Sequence, residues 1–355
     1  MQNKYSKTWQ EKTLGDILEK GSSNLSANKL IDCDGEYPVY GASGLVKKIN
    51  FYQQENEYLA IIKDGAGVGR VYHYPKKTSI LGTMQYLYPK ESVNIRFAYY
   101  YLTSIDFYKY YQGAAIPHIY YKDYKNEKLV LPSIQEQERI VGILDKVFEN
   151  IEQAKKNAEQ NLQNAKNLFD SELENIFTGN IEDWEKLNVG EIIKLEYGKA
   201  LPYSDRCNNG ENPVYGANGI KDRTNKYLHD KPSIIVGRKG SVGELNYVES
   251  KFWALDVTYY VKFDENQYNL NFLYYLLKRL KLQTLARGVK PGLNRNEVYN
   301  LNVAIPKINT QQQIVEKLDK LQEQVKSLEA IYEQKIKDLE ELKQSILQKA
   351  FNGEL

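Results

Sequence analysis

Residues that bind metals or form disulfides are scarce in this chain of 355 residues. It has two cysteines, Cys33 and Cys207, whose spacing matches no zinc motif. Its three histidines, His73, His118 and His229, are scattered along the chain. So few cysteines fit a reducing compartment, and we expect a cytoplasmic protein. The sequence therefore predicts neither a disulfide framework nor a metal site.

Long apolar runs are absent as well. A membrane-spanning helix needs about 18 or more consecutive, mostly apolar residues, and no stretch of this sequence provides them. The N-terminus lacks the charged and then apolar pattern of a secretory signal. These absences predict a soluble protein that is not exported and has no membrane partner. The length is sufficient for two domains with cores of their own.

One pattern does occur, and it occurs twice. Tyr-Pro-Val-Tyr-Gly-Ala-Ser-Gly at 37–44 returns as Asn-Pro-Val-Tyr-Gly-Ala-Asn-Gly at 212–219, a shift of 175 positions. Near the ends of the two copies the shift is 174, because Phe177 corresponds to Phe351. One register step in half a chain is typical of two diverged copies of one domain. The period is far too long for a solenoid of small repeats.

The last part of each copy has the pattern of a long helix that needs a partner helix. Over 135–178, and again over 310–352, apolar residues recur in alternating steps of four and three, which is a heptad seam. Both seams then take an extra step of four, and this shared stutter favours pairing of the two helices with each other. Ser133 and Thr310 begin capping-box sequences. The seam residues are Ile140, Leu144, Val147, Ile151, Ala154 and Ala158 in the first helix and Ile314, Leu318, Leu321, Val325, Leu328 and Tyr332 in the second.

The bodies that precede the helices have the pattern of mixed α and β structure. β-rich runs at 58–62 and 233–236 end in glycine-rich turns, and an apolar, aromatic helix follows near 97–102 and 272–277. If the long helices pair along their length, they run antiparallel, and Leu355 comes back beside the first body. We predict an α+β fold with two mixed α/β domains joined by two long antiparallel coiled-coil helices, pseudo-two-fold and nearly cyclic. The predicted boundaries are 1–134 and 181–309 for the bodies and 135–180 and 310–355 for the helices.

Charge is unevenly distributed, although the net charge is only +2. The bodies are mildly basic, with 17 Lys and Arg against 13 Asp and Glu over 1–134, and 19 against 15 over 181–309. The helices are acidic, with 5 against 9 over 135–180, and 7 against 9 over 310–355. A basic surface on each body is compatible with nucleic-acid binding. Ordinary scatter of surface charge would give similar numbers.

Together these features resemble the DNA-specificity (S) subunits of type I restriction–modification systems. The repeated segments and the order of two bodies and two matching helices carry the resemblance. So do the helix entry Pro-Ser-Ile-Gln-Glu-Gln-Glu-Arg-Ile-Val at 132–141 and the tail Leu-Lys-Gln-Ser-Ile-Leu-Gln-Lys-Ala-Phe-Asn-Gly-Glu-Leu at 342–355. The resemblance implies that each body is a target-recognition domain for one half of a split double-stranded DNA site. It also implies that the helices are a spacer that docks methyltransferase (M) subunits, expected to be two, with catalysis in those subunits and in ATP-driven restriction (R) subunits.

Two segments resemble catalytic motifs without their decisive residues. Asn-Pro-Val-Tyr at 212–215 is similar to the Asn-Pro-Pro-Tyr of adenine methyltransferases, but its third residue is Val and the other copy begins with Tyr37. We interpret both as turn-forming. Gly-Ala-Gly-Val-Gly at 65–69 lacks the context of a nucleotide-binding loop, and Gly-Lys-Ser/Thr does not occur. We expect no catalytic residue and no cofactor. The alternatives are a self-contained adenine methyltransferase and a coiled-coil scaffold joining two protein-binding heads.

Base readout requires hydrogen-bond donors on loops or helix ends, and the glycine turns of both bodies provide them. The predicted DNA-binding residues are Lys47, Lys48, Lys63, Arg70 and His118 in the first body and Lys221, Arg223, Arg238, Lys239, Arg287, Lys290, Asn294 and Arg295 in the second. The alternative is that these charges only solvate loops. Most of the 30 tyrosines are expected to pack in the cores rather than to stack on bases.

Overall fold

The computed structural model describes residues 9–30, 34–113, 116–179, 181–288 and 291–355. The chain forms two compact units: unit 1 is Met1–Ala158 with Gln334–Leu355, and unit 2 is Glu159–Glu333. Each long helix therefore belongs partly to one unit and partly to the other. Cys33 lies outside the described residues, and Cys207 is an exposed free thiol.

Unit 1 combines short strands with helices. Its strands are β1 (Gln10–Thr13), β2 (Leu18–Lys20), β3 (Tyr37–Gly41), β4 (Gly44–Ile49), β5 (Tyr58–Ile62), β6 (Val71–Tyr74), β7 (Ser79–Ile80), β8 (Met84–Pro89) and β9 (Lys128–Leu131). Its helices are α1 (Leu14–Ile17), α2 (Ile95–Ser104), α3 (Tyr121–Tyr124) and the first part of α4 (Ile134–Thr178), with 3-10 turns at Ala27–Leu30 and Phe107–Tyr110.

The core of unit 1 lies between a sheet and helices. An antiparallel sheet has the order β2-β8-β5-β6, a smaller sheet has the order β4-β3-β7, and β1 pairs with β9. All five residues of the central strand β5 are buried, which explains its continuous apolar run. Helix α2 is capped by Asn94, whose side chain accepts hydrogen bonds from the backbone N–H groups of Arg96 and Phe97. It buries Phe97 and Leu102 in the same core.

Unit 2 repeats this series of elements. Its strands are β10 (Glu185–Asn188), β11 (Ile193–Tyr197), β12 (Asn212–Gly216), β13 (Gly219–Thr224), β14 (Ser233–Gly237), β15 (Leu245–Val248), β16 (Trp253–Ala254), β17 (Thr258–Phe263) and β18 (Asn302–Ile305). Its helices are α5 (Val189–Ile192), α6 (Leu270–Arg279), α7 (Arg295–Tyr299) and the first part of α8 (Ile308–Phe351), with 3-10 turns at Tyr203–Asp205 and Leu282–Leu285.

The sheets of unit 2 match those of unit 1 strand for strand. Their orders are β11-β17-β14-β15, β13-β12-β16 and β10-β18. The repeated Gly-Ala-x-Gly closes the same hairpin in both units, and its last glycine has a left-handed φ of +105° at Gly44 and +112° at Gly219. The preceding segments that we interpreted as turn-forming are strands β3 and β12, so that interpretation is wrong. The predicted fold class of mixed α/β bodies and long helices is confirmed.

Within each unit the two long-helix segments run antiparallel. In unit 1 the Nζ of Lys155 lies 2.7 Å from Glu340, and the Nζ of Lys343 lies 3.0 Å from Glu152. The numbering therefore rises along α4 as it falls along α8. In unit 2 Lys317 pairs with a glutamate of α4, Glu172, at 2.6 Å. These ion pairs stabilise little individually, but the two pairs of unit 1 define the direction of the helices there.

The heptad seam has a second role that the spacing did not predict. Ile140 and Leu144 are almost fully buried, and so is Phe148, which lies outside the seam and meets the ring of Tyr100 edge-on at 5.3 Å. These side chains share one core with helix α2. A helix that packs on both a partner helix and a body needs an apolar face wider than a strict seam. The start of α4 is therefore part of the body's core.

A buried glutamine fastens each long helix to the body before it. Gln137, which is 0% exposed, accepts a hydrogen bond from the backbone N–H of Asn94 and donates to the carbonyls of Ser92 and Pro132. In unit 2 Gln311 bonds in the same way to Asn269, Gln267 and Pro306. The residues bonded in this way include the N-caps of α2 and α6.

This arrangement corrects one predicted cap. Ser133 caps α4, since its hydroxyl accepts from the backbone N–H of Glu136 at 3.4 Å. Helix α8, however, begins at Ile308, two residues before the predicted cap Thr310. Lys307 takes the position of Ser133, and its carbonyl accepts from the N–H groups of Thr310 and Gln311.

Replacing Gln311 with alanine is expected to destabilise unit 2. The change leaves the N–H of Asn269 and the carbonyls of Gln267 and Pro306 without this partner in a partly buried place, and the loss of a buried partner costs about 1–3 kcal/mol. We expect the free energy of unfolding to fall by about 3 kcal/mol, measured by chemical denaturation. Gln313→Ala removes an exposed glutamine from the same turn and should change it by less than about 0.5 kcal/mol. Equal denaturation midpoints for the two variants would contradict the role assigned to Gln311.

The last turns of α8 complete the core of unit 1. The ring of Phe351 packs against Phe97 at 5.3 Å and Tyr101 at 5.1 Å. The main-chain oxygen of Leu355 accepts a hydrogen bond from Arg139 at 2.9 Å. The predicted return of Leu355 beside the first body is therefore confirmed.

The last turns of α4 do the same for unit 2. Phe177, the counterpart of Phe351, packs against Phe272 at 5.3 Å and Trp184 at 6.1 Å. Each body is therefore held by the beginning of one long helix and by the end of the other.

Candidate nucleic-acid interface

In unit 1 the predicted residues lie in two places. The turn after β5 and the loop before α3 are bonded together, since Gly65 N–H donates to the carbonyl of Pro117 at 2.9 Å and Ile119 N–H donates to that of Lys63 at 2.9 Å. This brings Lys63 and His118 to one end of the larger sheet. Arg70, directly before β6, is exposed. Lys47 and Lys48 are on β4 of the smaller sheet, where Lys47 pairs with Asp34 at 3.0 Å.

An open crevice of about 840 Å³ lies beside this end of unit 1. Its lining includes Gly67, Arg70, Ser104, Tyr108 and Gln348. In unit 2 the counterpart of Ser104 is Arg279, and the counterpart of Gln348 is Glu174. These two residues form an ion pair at 2.9 Å. The two bodies thus differ in surface shape and charge although their scaffolds match.

In unit 2 the predicted residues of the hairpin strand β13 have different environments. Lys221 is exposed. Arg223 turns toward its own body, since its guanidinium donates to the carbonyls of Gly210 at 2.5 Å and Glu211 at 2.7 Å. Two of its five N–H donors are therefore directed at the backbone of its own body.

The other predicted residues of unit 2 gather at one end of its four-stranded sheet. Bridges join Lys239 and Arg287 to Gly292. The backbone N–H of Leu293 donates to the carbonyl of Arg238 at 2.9 Å, so the start of α7 lies beside the end of β14. The predicted residues at this end are Arg238, Lys239, Arg287, Asn294 and Arg295, whereas Lys290 lies outside the described residues. The side chain of Asn294 caps α7.

A tyrosine that the sequence analysis did not single out lies within this group. Tyr197 ends β11 and pairs in register with Tyr259 of β17, which in turn pairs with Val236 of β14. The guanidinium carbon of Arg238 lies 5.3 Å from the centroid of the Tyr197 ring, and that of Arg295 lies 5.0 Å from it. Tyr197 remains 47% exposed. In β11 the side chains alternate, so Tyr197 lies on the same face as the buried Leu195 but at the end of the strand, where the core stops. An aromatic residue at the end of an alternating strand is a sequence signal that could have identified it.

The neighbouring Tyr259 is neutral at physiological pH. Burial, and then its hydrogen bond with Tyr197, raises the pKa of Tyr259 to about 12, although Arg238 and Arg295 act in the opposite direction. Its hydroxyl donates to the carbonyl of Leu293 at 3.1 Å. The two arginines therefore face aromatic rings and carbonyls, and the positive charge at this end of the sheet is not neutralised by a phenolate.

The segments similar to catalytic motifs serve the scaffold. The amide of Asn212 is buried and donates to the carbonyls of Asn225 and Lys226. Gly65, Gly67 and Gly69 have left-handed φ values in the turn between β5 and β6. In the described ranges, no three His, Cys, Asp or Glu side chains come together in a way that could hold a metal. Of the helices that the structure describes, none is both long and apolar enough to cross a membrane.

Comparison with known proteins gives one consistent family. The family profile described as type I restriction modification DNA specificity domain matches residues 6–160 and 181–338. The EcoDI specificity subunit of Escherichia coli is 32% identical over 176 residues, 49% of this chain and 39% of that protein. The chain thus spans well under half of that relative. The MjaVIII specificity subunit of Methanocaldococcus jannaschii is 24% identical, with 95% of this chain and 90% of that protein covered.

Solved structures agree on the fold. A chain from a study of complex assembly and conformational transition of the type I restriction–modification system matches with a TM-score of 0.78 at 17% identity, over 99% of both chains. The HsdS subunit from Thermoanaerobacter tengcongensis matches with a TM-score of 0.59 at 16% identity, over 99% of this chain and 98% of that one. At such identities the likeness concerns the fold alone.

Proposed function

Since this chain belongs to the family of type I restriction modification DNA specificity domains, we propose that it is the sequence-recognition subunit of a type I complex. In this proposal residues 1–134 and 181–309 are target-recognition domains, each reading one half of a bipartite double-stranded DNA site. Residues 135–180 and 310–355 are spacer helices that dock two methyltransferase subunits. The complex also recruits restriction subunits and acts in the cytoplasm. Catalysis and cofactor binding belong to the partners.

The observation that carries the proposal is that one scaffold presents different side chains at the same place. After the central strand, unit 1 has Lys63 and Asp64, whereas unit 2 has Arg238 and Lys239. The positions correspond, because Asp64 and Lys239 make equivalent bridges to the loop before the last helix of each body. Bases are distinguished by the donors and acceptors that they meet. Different donors on matching bodies suit two different half-sites.

The alternatives have less support. A self-contained adenine methyltransferase would need a side chain free to hold the amino group of adenine, but the amide of Asn212 is bonded to backbone carbonyls and its counterpart is Tyr37. A coiled-coil scaffold for protein-binding heads would not account for the match of both bodies to a DNA specificity family.

The purified chain is expected to transfer no methyl group by itself. Incubation with radiolabelled S-adenosylmethionine and random-sequence DNA should leave the DNA unlabelled, because the proposal puts the cofactor site in the methyltransferase subunit. Adding that subunit should produce label at adenines of one bipartite sequence. Label above background without the partner, or label with the partner that ignores sequence, would refute the proposed division of labour.

A further inference from the structure

Three side chains at one end of the unit 2 sheet form a compact group, the Arg238–Tyr197–Arg295 cluster. In the strand order β11-β17-β14, Tyr197 ends β11 and Arg238 directly follows β14, so the two lie on either side of Tyr259 at the same end of the sheet. Arg295 is the first residue of α7, which the bond from Leu293 to Arg238 holds beside that end. The guanidinium carbons of Arg238 and Arg295 lie 5.3 and 5.0 Å from the Tyr197 ring centroid, at cation–π distance.

The protein holds Arg238 in place without using all its donors. Its Nε and Nη2 donate to the single main-chain oxygen of Asp256, at 3.1 and 2.6 Å. A guanidinium has five N–H donors, so donors remain on the far edge. Among the residues that the structure describes, neither Arg238 nor Arg295 forms an ion pair. Arg279 of the same unit, by contrast, is paired with Glu174.

Such an arrangement suits recognition of a base more than of a phosphate. A phosphate needs positive charge, which the exposed Lys239 and Arg287 nearby already provide. An arginine that lies over an aromatic ring and is bonded to a carbonyl presents the rest of its fork in one direction. The fork matches the two acceptors, O6 and N7, that guanine presents in the major groove. The compact ammonium group of a lysine cannot contact O6 and N7 together as specifically as a guanidinium does.

We infer that the Arg238–Tyr197–Arg295 cluster reads guanine in the half-site that unit 2 recognises, with the two arginines as the specificity-determining residues and Tyr197 as a positioning residue. The inference rests on the proposed function.

The cluster occurs in unit 2 and, among the described residues, has no equivalent in unit 1. The corresponding residues of unit 1 are Ser22, Lys63 and Tyr121, which offer no guanidinium, so the other half-site is read by different chemistry.

The test uses the full chain in complex with its methyltransferase subunit and the DNA target defined by its methylated adenines. Each guanine of the target is replaced singly by 7-deazaguanine, which removes the N7 acceptor. For the unaltered complex, at least one such change in one half-site should weaken binding about 5- to 150-fold. In the Arg295→Lys or Arg238→Lys complex, the same change at the contacted guanine should have no further effect. Tyr197→Ala should reduce the effect of 7-deazaguanine at that guanine, and Tyr197→Phe should restore it.

A matched control lies at the other end of β14. Lys231 precedes this strand and pairs with Glu265 at 2.8 Å on the surface. Lys231→Ala removes a positive charge from the same unit and should leave the effect of 7-deazaguanine unchanged. Arg295→Lys keeps the charge, so a loss of coupling in it reports on the guanidinium fork and not on net charge.

Three results would overturn the inference. One is a target in which no replacement of a guanine by 7-deazaguanine, in either half-site, weakens binding. Another is an undiminished effect of every 7-deazaguanine in both lysine variants. The third is an equal loss of affinity for all sequences with a shallower salt dependence, since that identifies phosphate contacts. In each case the proposed function stands if the unaltered complex still prefers its target. If that complex does not distinguish its target from scrambled DNA, the proposed function itself fails.

Discussion

A fragment of residues 1–180 is expected to form a dimer that directs methylation to a palindrome. In the full chain Phe351 covers the Phe97 face of α2, and the fragment lacks it. The fragment keeps the counterpart Phe177, whose own contact Phe272 is missing. Phe177 of a second copy fits the face left open. Reciprocal exchange gives an isologous two-fold dimer.

The driving force is the burial of apolar surface, worth roughly 25 cal/mol per Å². Without the last helix, unit 1 also loses Leu347 and Ala350, which are almost fully buried in the full chain. Both bodies of the dimer would be the same, so both halves of the target should be the same half-site, inverted. Co-expression with the methyltransferase, light scattering of the purified complex and mapping of methylated adenines measure this outcome.

Two variants of the fragment separate specific from unspecific association. Phe177→Asp should abolish the dimer, because a carboxylate cannot pack on Phe97. Leu168→Asp changes a residue of the same helix that is 46% exposed and should leave the dimer intact. A monomeric 1–180 fragment, or one that still methylates an asymmetric target, would refute the exchange of helix ends.

Lengthening both long helices by one turn is expected to lengthen the spacer between the half-sites by a base pair or so. Helix α4 is unbroken over 45 residues, so four added residues lengthen it by about 6 Å, compared with about 3.4 Å for a base-pair step. Four alanines are inserted after Ala158 and after Tyr332, and the new target is read from methylated adenines.

The control is the same insertion in one helix only. It shifts one helix against the other on one side of the insertion. The Lys155–Glu340 pair of unit 1 and the Lys317–Glu172 pair of unit 2 can then no longer form together, so methylation should be strongly reduced. The doubly inserted complex should remain active. An active complex that keeps the original spacer would show that the helices do not measure the distance.

The long helices were the most predictable part of the fold, because a periodic apolar pattern is a local property of the sequence. Their observed bounds lie within two residues of the heptad patterns at 135–178 and 310–352. The start of α8 was missed because Gln311 is held by Asn269 and Gln267, more than 40 positions earlier. Segment 212–215 was misjudged because β12 becomes a strand through its partners β13 and β16, and such pairing is not visible in four residues.

The candidate interface was less predictable than the fold. Arg223 and Arg238 both follow glycine-containing hairpin segments, and their sequence surroundings do not distinguish them. They differ in what their donors meet: Arg223 bonds the carbonyls of Gly210 and Glu211, whereas Arg238 is held by the carbonyl of Asp256 and the ring of Tyr197. These partners are 12 or more positions away in the chain. Tyr197 was treated as one of many core tyrosines because its exposure depends on where the sheet ends.

The division of the chain sets an order for its synthesis. Unit 2 is one continuous segment, whereas unit 1 includes Gln334–Leu355. On the ribosome unit 2 can be completed while the Phe97 face of unit 1 still waits for Phe351. At about 5–20 residues per second, the interval between the synthesis of Ala158 and that of Phe351 lasts roughly 10–40 s. During that time an apolar surface built for a helix end is open on the nascent chain. The N-terminal body of this protein is therefore the last to be finished, and the one that most needs protection from aggregation while it is made.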